Sequence, residues 1–160
     1  MKRIHLPPLA ASLTVLAGHP ALAEPIPIDQ LGCDNMEMTT AFSTGEMTLV
    51  SWSVKSIVRD QSDRGEPDMS QHCVGTTLTH GDRRVARGYC TSVYPDGDRT
   101  LIEVSREGEG PGTWRFIDGT GKYLGVSGEG SYRFITQARP VEEGTWQFCI
   151  QNLGSYTLKE

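Results

Sequence analysis

The residues with the strongest claim to chemistry lie in the glycine-rich stretch 119–128, GTGKYLGVSG. Four glycines there surround Lys122 and Tyr123, a composition that a phosphate-binding loop would share. A dinucleotide-binding G-x-G-x-x-G loop would need a glycine where Leu124 stands, and a P-loop would need serine or threonine where Tyr123 stands. Glycines inside strands mark bulges and bends. The stretch therefore predicts a tight turn and a bent strand, not a nucleotide site.

Other candidate groups do not form a catalytic or metal-binding pattern. The sequence has no G-x-S-x-G motif for a nucleophilic serine. Glu107 and Glu109 lie among glycines, which favours a solvated loop over a glycosidase pair. The acidic turn at 95–98, PDGD, is too short for a calcium loop. His72 and His80 lack the closely spaced cysteine pair of a zinc site. We predict no catalytic residue, no metal and no cofactor.

The four cysteines predict two disulfides, because their number is even and the chain carries export signals. Gly-Asp at 81–82 suits the centre of a two-residue hairpin turn. The register of that hairpin places Cys73 opposite Cys90 in the closer type of cross-strand pair, within the range that a disulfide tolerates. This pairing leaves Cys33 for Cys149. A loop of three or four residues would shift the register and undo the prediction.

The N-terminal sequence has the form of a secretory signal peptide. The first residues are basic, an apolar run follows over 9–22, and Ala-Leu-Ala ends at residue 23. Prolines and a glycine interrupt the run, which is too short for a transmembrane anchor. We therefore predict a signal peptide at 1–23, an N-terminal arm at 24–44 and one domain at 45–160, in a periplasmic or secreted protein.

The net charge disfavours two kinds of partner, and the length indicates a single domain. The chain of 160 residues has a net charge of −5. An acidic protein lacks the clustered lysine and arginine that bind nucleic acid, and it is not attracted to anionic lipid. The length without the signal peptide suits one domain with one core.

Alternating apolar and polar residues predict an all-β fold. Segments such as TLVSWSVKSIV, RVARGYCTSVY and TWQFCI change polarity at every residue and are rich in β-branched and aromatic side chains. We assign an inward face to Val50, Trp52, Val54, Val74, Leu78, Val85, Arg87, Tyr89, Val93, Ile102, Val104, Trp114, Phe116, Tyr132, Phe134, Trp146 and Phe148. Arg87 is the one charge in this set, so it would meet an anionic ligand or reach water at an open end.

The glycine-rich run also carries a family resemblance. GTGKYLGVSGEGSY resembles a hairpin of the allene oxide cyclase and dirigent-like β-barrel proteins, and GYCTSVYPDGDRT is similar to a strand pair in exported bacterial members of unassigned activity. The resemblance implies an eight-stranded antiparallel up-and-down barrel, calycin-like in form. Plant relatives cyclise an allene oxide or steer the coupling of phenoxy radicals. Their catalytic residues do not map onto this chain, so the resemblance implies the fold and not the chemistry.

Three functions are consistent with such a barrel. The first is non-catalytic binding of a small apolar or aromatic molecule inside the barrel. The second is a cyclase or isomerase that confines a reactive substrate. The third is an interaction or inhibitor module with a protein partner. For the first, we expect an anion-binding arginine and a lining of aromatic side chains: Arg87, Trp52, Tyr89, Trp114, Tyr132 and Trp146.

Overall fold

Eight antiparallel strands close into a barrel in this computed structural model, which describes residues 24–64 and 67–159. The predicted signal peptide at 1–23 lies outside the described residues. The elements are β1 (Ile26–Ser43), β2 (Met47–Asp60), β3 (Met69–His80), β4 (Arg83–Val93), β5 (Arg99–Glu107), β6 (Gly112–Gly119), a 3-10 turn (Gly121–Tyr123), β7 (Ser127–Gln137) and β8 (Thr145–Thr157).

Each strand pairs with its neighbours in the chain, and β8 pairs with β1. Closure means that every strand has a hydrogen-bonded neighbour on both sides, although the β6–β7 ladder covers only Gly112–Arg115 of β6. The upper end of the barrel carries the turns at 44–46, 81–82, 108–111 and 138–144. The lower end carries residues 61–64 and 67–68 between β2 and β3, and the connections at 94–98 and 120–126. The predicted eight-stranded up-and-down barrel is confirmed.

The predicted N-terminal arm at 24–44 is wrong, because most of it forms β1. This strand pairs with β2 from Gln30 onwards and with β8 up to Glu37. Its inward positions include the polar residues Gln30 and Asp34. The alternation of apolar and polar residues that marks the other strands is therefore weak in β1.

The hairpin of β3 and β4 has the predicted register. His80 pairs with Arg83, and Cys73 pairs with Cys90. Gly81 takes a φ of 56°, the left-handed conformation that the first central residue of a tight hairpin turn requires.

The predicted inward face is wrong for β3 and β4. The side chains that face outward there are Val74, Leu78, Val85, Arg87, Tyr89 and Val93. The inward positions instead hold small residues such as Ala86, together with Cys73 and Cys90. Val74 is 50% exposed and Leu78 41%. These residues suit a strand whether or not they are buried, so β-propensity did not reveal the side that faces the core.

Candidate ligand-binding cavity

The barrel encloses a cavity of about 230 Å³. Its wall is mainly apolar and aromatic, with polar groups at a few places. An apolar cavity of about 150 Å³ is enough to hold benzene, whereas drug-sized ligands need roughly 300 Å³ or more. The space therefore suits one small molecule of about a single substituted ring.

Trp52, on β2, lines the cavity and covers the inner face of β3 and β4. Its indole ring lies over Gly75 and Gly88, which face each other across the β3–β4 pair. A Cβ atom at either glycine would come within 3.0 Å of the ring. The indole Nε1 donates a hydrogen bond to Thr77 Oγ1 at 3.1 Å. The two glycines thus make room for a ring that could not otherwise lie flat on the sheet.

Trp114 repeats this arrangement on β6, β7 and β8. Its indole lies over Gly130 and Gly154, which are paired across β7 and β8. Its Nε1 donates to the Ser131 carbonyl oxygen at 3.2 Å. Trp114 is 5% exposed. Gly130, which belongs to the glycine-rich run GTGKYLGVSGEGSY, therefore makes room for a tryptophan ring.

A cluster of aromatic rings continues the wall across β7 and β8. Phe134 stacks on Trp146 at a centroid distance of 5.2 Å and meets Phe148 edge-on at 5.0 Å. Tyr132 contacts Phe134 in a T-shaped arrangement at 6.2 Å. Burial raises the pKa of Tyr132, and the nearby positive charge of Arg106 opposes that shift.

The lower end of the cavity is covered by three tyrosines. Tyr123, at the end of the 3-10 turn, is 4% exposed and stacks on Tyr94 at 4.4 Å. Tyr156 lies 6.4 Å from Tyr123. Gly119 allows the turn to pack closely, because a Cβ there would come within 3.0 Å of the Tyr123 backbone. The glycine-rich stretch therefore positions a ring that covers the lower end of the barrel.

Asp34 is a buried carboxyl group that the sequence analysis missed. It lines the cavity, is 7% exposed, and accepts a hydrogen bond from the Ser56 hydroxyl on the paired strand. Burial raises its pKa to about 6, and the Ser56 hydrogen bond opposes the shift. A carboxyl group that titrates near neutral pH inside a cavity is a candidate proton donor. No sequence signal singled it out, because the apolar alternation of β1 is weak and the segment was predicted to be an N-terminal arm.

Asp60 brings a second carboxylate to the cavity wall, at the lower end of β2. One oxygen, Oδ2, accepts a hydrogen bond of 2.5 Å from the Ser62 hydroxyl. The other, Oδ1, is buried and has no hydrogen-bond partner among the described residues. A buried oxygen of this kind is a site for a donor group of a ligand or a water molecule.

Two arginines line the upper end of the cavity, Arg84 on β4 and Arg106 on β5. The Arg106 guanidinium donates to the carbonyl oxygens of Gly110 and Glu109 at 2.8 and 2.9 Å. It also lies 4.7 Å from the centre of the Phe134 ring. Arg84 is exposed at the rim of the barrel. The positive charge at the cavity therefore comes from residues other than the predicted Arg87.

The structure brings four of the six predicted ligand-binding residues together. Trp52, Trp114, Tyr132 and Trp146 all line the cavity. The inward placement of Arg87 and Tyr89 is wrong. Arg87 is exposed on the outer wall, and Tyr89 is 50% exposed with its hydroxyl 3.5 Å from a Glu103 carboxylate oxygen. The four aromatic residues remain predicted ligand contacts.

Both predicted disulfides are present. Cys73–Cys90 joins β3 to β4 on the cavity side, and both cysteines are buried. Cys33–Cys149 joins β1 to β8, the first and last strands of the barrel, with Cys33 exposed on the outer wall. Disulfides of this kind are typical of proteins in an oxidising environment outside the cytosol.

Two further features were sought in the described part of the chain. Residues 24–64 and 67–159 contain no group of three or more histidine, cysteine, aspartate or glutamate side chains placed to hold a metal ion. Nor do these residues form a helix with the length and apolar character needed to cross a lipid bilayer.

Comparison with solved structures identifies the kind of barrel. The pterocarpan synthase dirigent protein PsPTS1 is 12% identical, with a TM-score of 0.55, over 86% of this chain and 97% of its own. The pterocarpan synthase dirigent protein GePTS1 is 10% identical, with a TM-score of 0.54, over 94% of this chain and 98% of its own. No family model and no curated protein matched the sequence. At these identities the likeness establishes a shared dirigent-like barrel fold and not a shared reaction.

Proposed function

We propose that this protein binds one small apolar or aromatic molecule inside its barrel, and that it does so after export to the periplasm or the cell exterior. The observation that carries the proposal is the cavity of about 230 Å³ lined by Trp52, Trp114, Tyr132 and Trp146. Concave apolar spaces with a few polar groups are the usual form of small-molecule sites. The signal-peptide pattern and the two disulfides support export.

The test uses a neutral aromatic probe, 3-phenylpropan-1-ol, whose binding is followed by tryptophan fluorescence and calorimetry. Ala86 lines the cavity, so Ala86→Leu should fill part of the space and weaken binding about tenfold or more. The matched control is Thr76→Leu, an outward position on the neighbouring strand, which should leave the affinity unchanged. Equal binding by both variants, or no binding by the wild-type protein, would contradict the proposal. Native mass spectrometry of protein from its own host would identify the natural ligand.

Asp34 supports a second candidate, a cyclase or isomerase that works on a confined substrate. Near pH 6 the buried Asp34 carboxyl group is partly protonated, so it could donate a proton to a substrate held in the cavity. Asp34→Asn keeps the shape of the side chain and removes the titration. If the protein is an enzyme of this kind, Asp34→Asn should abolish turnover of the molecule found in the native protein and leave its affinity within about twofold. Unchanged turnover would exclude Asp34 as the proton donor.

A further inference from the structure

Arg84 and Arg106 are neighbours on the cavity side of the barrel at its upper end. Arg106 pairs across the sheet with Ala86, and Arg84 precedes Ala86 by two residues on the same face. Diagonal neighbours of this kind lie roughly 7–8 Å apart at their backbones, within reach of long side chains. The two guanidinium groups can therefore approach one small ligand together.

Neither arginine forms an ion pair among the described residues. The observed ion pairs use other basic side chains, including Arg83, which bonds Glu107 on the outer wall. Arg106 donates to uncharged backbone carbonyls, which leave its charge uncompensated. Of the two carboxylates that line the cavity, Asp34 bonds Ser56 and Asp60 lies at the lower end. An anion between these two positive charges at the mouth of an apolar cavity would lower the electrostatic energy of both.

The groups around the two arginines determine what such an anion would carry. Phe134 lies against the Arg106 guanidinium, and Phe134 in turn stacks on Trp146. Tyr132 contacts Phe134 and lies close enough to Arg106 for the charge of Arg106 to affect its hydroxyl. The rest of a ligand whose anionic group is bound at the two arginines would therefore lie directly against the aromatic wall. A planar carboxylate matches the paired donors of a guanidinium.

We propose that the ligand of this barrel is a carboxylic acid with an aromatic or other apolar body. Its carboxylate lies between Arg84 and Arg106 at the upper end, and its body lies in the cavity beside Phe134 and Trp146. This inference rests on the proposed function, because it assigns the orientation and charge of a ligand that the cavity must first bind.

The test compares two probes with the same ring and chain, 3-phenylpropanoate and 3-phenylpropan-1-ol. The wild-type protein should bind the acid about tenfold more tightly than the alcohol at low ionic strength, because charge-assisted hydrogen bonds add to the shared apolar contacts. Arg84→Gln and Arg106→Gln should each weaken acid binding about tenfold and change alcohol binding less than twofold. Arg106→Lys should restore part of the loss. Added salt should weaken binding of the acid only.

Arg87→Gln is the matched control, since it removes the same charge from the same strand but from the outer wall. It should leave both affinities unchanged. If both probes bind equally and no arginine variant changes the ratio, the proposed ligand class is wrong while the binding function stands. If neither probe binds, both proposals fail. Arg84 is exposed, so Arg84→Gln should fold normally even if Arg106→Gln disturbs the 108–111 turn.

Discussion

Two walls of the barrel, β2–β4 and β6–β8, each pack a tryptophan flat against the sheet, but different contacts stabilise the strands beside it. In each, a tryptophan lies over two glycines that face each other on the next two strands. Beside Trp52 the strands are joined by the Cys73–Cys90 disulfide. Beside Trp114 the cross-strand pair at the corresponding place is Gly128 and Tyr156, and aromatic rings fill the space.

The two walls stabilise the barrel around its cavity in different ways. One wall is held by a covalent bond and little side-chain volume, which leaves space beside it. The other wall is held by packed rings, which supply the apolar surface that a ligand would contact. We therefore expect the aromatic wall to be sensitive to loss of volume and the disulfide wall to be sensitive to reduction.

The largest expected effect is on the aromatic wall. Phe148 is 7% exposed and contacts both Phe134 and Trp146. Phe148→Ala should lower the free energy of unfolding by about 4 kcal/mol, because it removes buried surface and leaves a void. Chemical denaturation of the oxidised protein measures this. Ile135→Ala, at an outward position that is 49% exposed, is the control and should change stability little.

Removal of the disulfide should be the next largest effect. The cysteines at 73 and 90 are separated by 17 residues. Cys73→Ala combined with Cys90→Ala should cost about 3 kcal/mol, mainly because the unfolded chain gains freedom. A reducing agent should lower the free energy of unfolding of the wild-type protein by more than the double substitution does, because reduction also breaks Cys33–Cys149. A loss under 1 kcal/mol in the double variant would show that the disulfide does not support its wall.

The third effect concerns Asp34, which lies on β1 between the two walls and is opposite Ser56 on one side and Phe148 on the other. Its folded-state pKa, about 6, is above the 3.8 that is usual for an aspartate side chain. The folded protein therefore binds this proton more tightly than the unfolded chain, so the contribution of Asp34 to stability falls as pH rises from about 4 to about 6. By about pH 7 the loss should approach 3 kcal/mol.

Denaturation of the wild-type protein and of Asp34→Asn across pH 4–8 tests this. The variant should gain stability relative to the wild type as pH rises, and the difference should level off above pH 7. Comparison with the variant cancels the opposite trend from Asp68 and Asp96, whose pKa values are lowered by Arg59 and Lys122. A constant difference across the range would show that Asp34 does not titrate there.

The smallest expected effect is the loss of stability when a glycine beneath a tryptophan is replaced by alanine. Gly75→Ala places a Cβ within 3.0 Å of both Trp52 and the Arg87 backbone, and Gly154→Ala does the same with Trp114 and the Glu129 backbone. Each should cost about 2 kcal/mol and change the tryptophan fluorescence spectrum. Gly45→Ala, with nothing within 4 Å, is the control and should have almost no effect. If only one pair is sensitive, the two walls do not use their glycines alike.

Much of the architecture follows from local sequence. Alternation predicted the strands, and the two residues at 81–82 determined the pairing of β3 with β4 and therefore the Cys73–Cys90 bond. β1 was missed because its inward residues include Gln30 and Asp34, which hide the apolar alternation. In the candidate site, the aromatic residues Trp52, Trp114, Tyr132 and Trp146 were predicted, whereas Asp34, Arg84 and Arg106 were not.

What the sequence alone determined is the period of each strand and the register of its tight turn, because these depend on neighbouring residues along the chain. The inward face of each strand, in contrast, depends on contacts between strands. On β4, alternation is equally consistent with Arg87 or Ala86 inside the barrel. The Trp52 ring decides between them, since it needs Gly75 and Gly88 beneath it and so turns Ala86 and Arg84 towards the cavity and Arg87 towards solvent. That contact joins residues on three successive strands, β2, β3 and β4, so the alternation within any one strand does not reveal it.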